Sequence, residues 1–389
     1  MSDRRIVDMP PPPIVRRRIE DLRHLEPPAA LLDDVLTEVD DTPQVPRTPR
    51  WITTGAALAV AAAVVVAAFL LSRGGNVGSD ASPSPSTSAT APSAGSTPTP
   101  IDELPVAGSL QTTIPTEAFD ILTLGAFDAV WLADPGAGTV KRLNPATNEL
   151  DATYQLRPEG SGSRLWLAAT TDLLWAGTGG SPSLVGLDPE TGTVEAELDL
   201  GVDPFTLAAD DAEVWLTDIE RGLVIGVDAA NQAEIHRVEV PGPTGISVGA
   251  TSVWVASTAT NAVVEIDRAS GEIVRTVDVG PTPMQVFVDP DGTSVYVVGR
   301  DGMPISAIDV ASGDVRQGTK ELVALTFVDG APWGLLPSGL FMGPLDRRTL
   351  EFTSGVSLPT PSGENLVHSA GSLWTQDAQQ VYGVRPAGN

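Results

Sequence analysis

The sequence predicts an all-β fold, a seven-bladed β-propeller of four-stranded blades, carried on a single N-terminal transmembrane helix. Three observations predict it. One aromatic recurs about every 40 residues, at Trp131, Trp175, Trp215, Trp254, Tyr296, Trp333 and Trp374, which is the period of a four-stranded blade. A turn headed by Asn or Asp repeats in step with it, opening at Asn144, Asp188, Asp228, Asp267, Asp309 and Asp346. Trp51 to Ser72 form a run of 22 residues without a charge.

Residues 1–50 are polar and interrupted by proline, with a basic start at Arg4-Arg5 and Arg16-Arg17-Arg18. Leu31, Leu32, Val35 and Leu36 fall at helical spacing, but so short a segment cannot bury a core. It reads as a disordered cytoplasmic tail with room for a cytosolic partner. The run 51–72 is long enough, at about 1.5 Å per residue, to cross the hydrocarbon layer as a helix. Eight arginines precede it, so the positive-inside rule puts the N-terminus in the cytoplasm and the remainder outside the cell membrane. The apolar run is long for a signal peptide and no Ala-x-Ala site follows it cleanly; an uncleaved anchor is expected. Residues 73–104, rich in Ser, Thr, Pro, Gly and Ala, form an extracytoplasmic linker of roughly 100 Å at full stretch.

The propeller is expected over 105–389. Gly245 to Gly280 shows one repeat: Ile246–Val248, Ser252–Ala256, Ala262–Asp267 and Glu272–Val277 are β-branched, apolar runs separated by small or polar turns. Asp267 opens the third turn because its side chain can bond the backbone two residues on, and Gly271 closes it because glycine tolerates positive φ. The last repeat lacks a fourth strand: Val381–Val384 is followed by the chain end. Gly108 to Thr116 resembles the Gly271–Pro283 segment, so a strand near 106–115 is expected to complete that blade and remove two sheet edges.

Tryptophan-bearing strands such as Ser252-Val253-Trp254-Val255, strand ends such as Ile266-Asp267 and entries such as Pro243-Thr244-Gly245-Ile246 resemble the YVTN/NHL-type propellers, and within them the virginiamycin B (streptogramin) lyase group. The resemblance spans about residues 106–385. For an enzyme of that group it implies a histidine base beside a Mg²⁺ held by carboxylates of neighbouring blades. The three histidines do not reproduce the pattern. His24 lies in the tail, His236 in an outermost strand, and His368, in an innermost strand, is followed by Ser-Ala-Gly where a glutamate is required. No catalytic residue is carried over.

Other chemistry is equally unmarked. There is no Gly-x-Ser-x-Gly elbow, phosphate loop or dinucleotide fingerprint, and no cysteine. Asp289-Pro290-Asp291-Gly292-Thr293 lacks the distal glutamate of a calcium loop and reads as a turn between the first two strands of blade five. Residues 1–73 hold 9 Lys/Arg against 10 Asp/Glu, and the rest hold 14 against 40, of 23 and 50 in all. That acidic field repels nucleic acid and anionic lipid.

Topology nominates a site. The loops entering the innermost strands rim one mouth of the axis and carry Glu117, Glu159, Asp203, Thr244, Thr282, Glu321, Glu364 and Asn365. Converging carboxylates are one way to hold a divalent cation; solvated loop charge is the plainer reading, and no cofactor is required. The expected function is a non-catalytic binding or scaffolding module for an extracytoplasmic protein, a glycan or a small ligand. The alternatives are a metal-dependent lyase or hydrolase at the axial mouth and a transmembrane sensor acting through the N-terminal tail.

Overall fold

A computed structural model describes residues 100–116, 121–160, 164–179, 183–361, 363, 365–377 and 379–387. The expected transmembrane segment lies outside them, and among the described residues no helix is long and apolar enough to cross a membrane.

Seven four-stranded antiparallel sheets follow one another along the chain. The innermost strands of blades one to seven are Ile121–Ala126, Trp166–Ala169, Thr206–Ala209, Pro243–Val248, Pro283–Val288, Ala324–Val328 and Leu366–Ser369. The second strands are Ala129–Asp134, Leu174–Gly177, Glu213–Asp218, Ser252–Ser257, Ser294–Gly299, Ala331–Leu335 and Ser372–Gln376. All seven recurring aromatics sit in these second strands, none more than 5% exposed. Several indole N–H groups reach back to the preceding turn. Trp131 donates to the Ala126 carbonyl, Trp175 to Thr170 Oγ1 and Trp374 to the Ser369 carbonyl, each five residues upstream.

The aromatics matter because of where they pack. Seven apolar clusters account for the core, and each spans two adjacent blades. Trp131 packs with Leu167, Ala176 and Leu187 of blade two. Trp175 packs with Val214 and Ile225 of blade three, and Trp254 with Val286, Val295 and Ile308 of blade five. The seventh cluster joins Ile114, Trp374 and Val381 to Val130, Leu132 and Leu143 of blade one. The ring therefore closes on itself with the same kind of contact that builds it.

Closure has the expected topology. Gly108–Pro115 pairs antiparallel with Gln380–Pro386 as the outermost strand of blade seven, from Gly108 opposite Pro386 to Pro115 opposite Gln380. Upstream, Ile101 and Leu104 pack against the cluster of Phe341, Leu350 and Phe352. A parallel bridge sets Val106 beside Gly355, so the incoming chain crosses blade six before it joins blade seven.

The repeated turns are built as their sequence implies. Asp188 Oδ1 accepts from the backbone N–H groups of Glu190 and Thr191, Asp267 from Ser270 and Asp346 from Arg348 and Thr349. The closing residue has positive φ in all six: Asn148, Gly192, Gln232, Gly271, Gly313 and Leu350. Asp289 is a structural turn residue as well, accepting from Thr293 and Ser294 N–H.

Candidate functional site

The fold gives the disc two unlike faces. The tight turns just described lie on one. The other carries the loops that enter the innermost strands and the turns between second and third strands, and the sequence-nominated residues belong to this loop face.

Among the described residues, the nominated side chains are spread over separate contacts. Glu117 and Glu364 lie outside the described residues, and Glu159 is exposed. Thr244 is buried; its hydroxyl bonds the Ala256 and Pro283 carbonyls, while its own carbonyl accepts from Thr206 and Thr217. Thr282 Oγ1 donates to the Arg300 carbonyl. These threonines stitch blades three, four and five together. Asp203 Oδ2 lies 3.6 Å from Arg164 Nη1, and its N–H donates to Asp218 Oδ2. Glu321 accepts from Gly302 N–H and lines a cavity of about 290 Å³ between blades five and six, with Arg300 and Asp301. Among the described residues no three His, Asp or Glu side chains gather closely enough to hold a metal ion.

Arginines interleave with the acids here. Arg221 pairs with buried Asp218 at 2.8 Å. Burial works against that carboxylate's charge, yet hydrogen bonds from Asp203 and Arg221 leave its pKa below the ordinary value. Arg157 uses Nη2 on the Pro135 carbonyl, while its sealed Nε and Nη1 have no partner. Burial lowers its pKa and Asp203 partly opposes this.

The concave feature to which every blade contributes lies on the axis. A cavity of about 350 Å³ is lined from all seven innermost strands, by Leu124, Leu167, Leu207 and Ile246 of blades one to four and Phe287, Phe327 and Val367 of blades five to seven. Trp166 also lines it. Gly125 and Gly245 let neighbouring strands close around it: a Cβ on Gly125 would strike the His368 carbonyl, and one on Gly245 the Gln285 backbone. Asn365 is the one nominated residue that reaches this cavity.

Among the described residues, His368 is the single titratable side chain in the lining. Burial lowers its pKa, with Asp329 opposing, so the ring is neutral near pH 7; its Nε2 is sealed and unpartnered. His236, by contrast, lies in the outermost strand of blade three, stacked on Trp215 at 5.6 Å, with Nε2 donating to the Arg268 carbonyl at 2.8 Å.

Reading the sequence for charged rim residues missed the walls. Trp166, Phe287 and Phe327 stand inside the innermost strands, where an aromatic looks like core unless the axis is drawn through it.

No protein-family model matches the sequence, and no curated protein matches it. Solved structures do match. A streptogramin B lyase is 14% identical, with 71% of this chain and 97% of that one covered at a TM-score of 0.59. Virginiamycin B lyase from Staphylococcus aureus is 13% identical over 71% and 99%, also at 0.59. The β-propeller domain of Cps50 (Swd1) from Myceliophteria thermophila is 11% identical over 70% and 99%, at 0.57. At such identities the shared property is the fold, and the resemblance read from the sequence holds at that level.

Proposed function

We propose that this chain is a membrane-tethered, extracytoplasmic binding module whose axial cavity takes a small neutral ligand without transforming it. The observation that carries the reading is the lining: seven blades converge on about 350 Å³, near the lower end of ligand pockets at roughly 300–1,000 Å³. General acid–base or nucleophilic catalysis needs paired groups within hydrogen-bond reach. Here a lone neutral imidazole stands among aliphatic, aromatic and amide side chains. The two lyases among the structural neighbours keep a lyase as the second reading, but among the described residues no carboxylate lines this cavity.

The test uses the full-length chain in lipid nanodiscs and N-phenyl-1-naphthylamine, a neutral fluorescent probe. The probe is expected to bind, and Thr326→Trp or Val367→Phe, which fill the cavity, to abolish binding while the melting transition persists. Equal binding to wild type and to both variants would overturn the axial site. For the tether, protease added to spheroplasts is expected to remove a C-terminal tag and spare an N-terminal one; the opposite pattern overturns the orientation.

A further inference from the structure

We propose that the ligand of the axial cavity is a neutral sugar unit; this rests on the cavity being the binding site. Apolar side chains line the cavity all round, and its unengaged polar ones gather on one side. Blades one, two and four contribute Leu124, Leu167, Ile246 and the Trp166 ring, and Thr206 of blade three has its hydroxyl engaged with Thr244 and Thr217. Blades five to seven contribute Gln285, Thr326, Asn365 and His368. Among the described residues no hydrogen bond engages the first three of these side chains, and Nε2 of the fourth is unpartnered. Phe287 and Phe327 stand among them.

That arrangement selects against most ligand classes. An ion entering would leave water for a wall that, among the described residues, offers no counter-charge. A wholly apolar ligand would cover the two amides and the threonine hydroxyl without pairing them, and each group left unsatisfied weakens binding. The fitting ligand is uncharged, with one apolar surface and an opposite edge rich in groups that both donate and accept. A pyranose has that form: its C–H faces pack on aromatic and aliphatic side chains, and its hydroxyls ring the edge. Amides offer one acceptor and two donors and threonine both roles, so a hydroxyl finds a partner in either orientation.

The experiment keeps the full-length chain in nanodiscs, free of sugar-headed detergents. N-phenyl-1-naphthylamine bound in the cavity is titrated with neutral hexoses, N-acetylhexosamines and their disaccharides, with the matching uronic acids as charged counterparts. A neutral sugar is expected to displace the probe. Gln285→Ala combined with Asn365→Ala is expected to weaken that sugar at least about tenfold, with probe affinity nearly unchanged, and the uronic acid is expected to bind at least tenfold more weakly than its neutral parent. If the probe binds the cavity and no neutral sugar displaces it, the sugar inference fails while the binding reading stands. Tighter binding of the uronic acid overturns the inference too. A probe indifferent to Thr326→Trp and Val367→Phe overturns both.

Discussion

Six turns close on a residue at positive φ, and in three of them that residue is not Gly: Asn148, Gln232 and Leu350. An L-residue there costs about 1–2 kcal/mol, so the outcome of substitution depends on what else the side chain does. Gln232 is exposed, and Gln232→Gly is expected to raise stability by a few tenths to about 1 kcal/mol in urea denaturation. Leu350 is fully buried; Leu350→Gly relieves the same strain but empties a core site, for a net loss of about 2–4 kcal/mol. Titration separates two further residue effects. Because burial lowers the folded-state pKa of His368, the unfolded chain protonates first as pH falls, and stability declines below about 6.5. In His368→Gln that part of the slope is expected to vanish. The turn carboxylates act lower. Backbone hydrogen bonds depress the pKa of Asp188, Asp228, Asp267, Asp309 and Asp346, so their contribution is full above the unfolded value of about 3.9 and is lost as pH falls from there through the lower folded-state values.

At the scale of the blade, a side chain from the outermost strand of blades one, three, four and five reaches the next blade's turn, and in the first three of these it lies against the buried aromatic. Tyr154 sits beside Trp131 and donates to the Pro189 carbonyl at 3.2 Å. His236 stacks on Trp215 and donates to that of Arg268. Arg275 lies over Trp254, pairs with Glu265 at 2.6 Å and donates to that of Val310. Arg316 donates to that of Arg347 at 3.4 Å. Each acceptor directly follows the residue that heads its turn. Blade two has Ala196 opposite Gly186 instead, and nothing there can reach. Arg275→Ala should cost about 2–3 kcal/mol, somewhat below the usual loss for breaking a fully buried pair, because Glu265 is 7% exposed; the shift in urea midpoint measures it. None of this clamp was legible in the sequence. The aromatics and turns were, since each repeats as the same residue type. The clamp is made by Tyr, His or Arg, chemically unlike residues that share only a donor able to span two blades, and not at one register. His236, Arg275 and Arg316 occupy equivalent positions, whereas in blade one Ala152 stands there and Tyr154 lies two residues on.

For the whole molecule, the sequence carried the blade count and the closing strand because both follow from period and a missing element. It did not carry the cavity. Seven innermost strands of four to six residues are too short for alternation to tell axis-facing positions from packed ones, so Phe287 and Phe327 read as core. The rim acids stood out by charge; of those described, Asp203 lies beside Arg164 and Glu321 accepts from Gly302 N–H, away from the axial cavity. Closure itself is testable. Removing residues 1–99 should leave the melting transition of the ring unchanged, whereas removing 1–115 strips Ile114 from the last interface and exposes the edge at Gln380–Pro386. That shorter chain is expected to lose cooperative unfolding or to associate through the bared edge.

The pairing of Gly108–Pro115 with the last strand also fixes a schedule. Leu110 meets Val384, 274 residues later, which at 5–20 residues per second is a wait of roughly 14–55 s during synthesis. Over that interval six blades are complete in sequence while the strand that seals them has no partner. A ribosome that stops short of Val381–Val384 therefore releases a chain with one orphaned strand and an open ring, marked for quality control by the very segment made first.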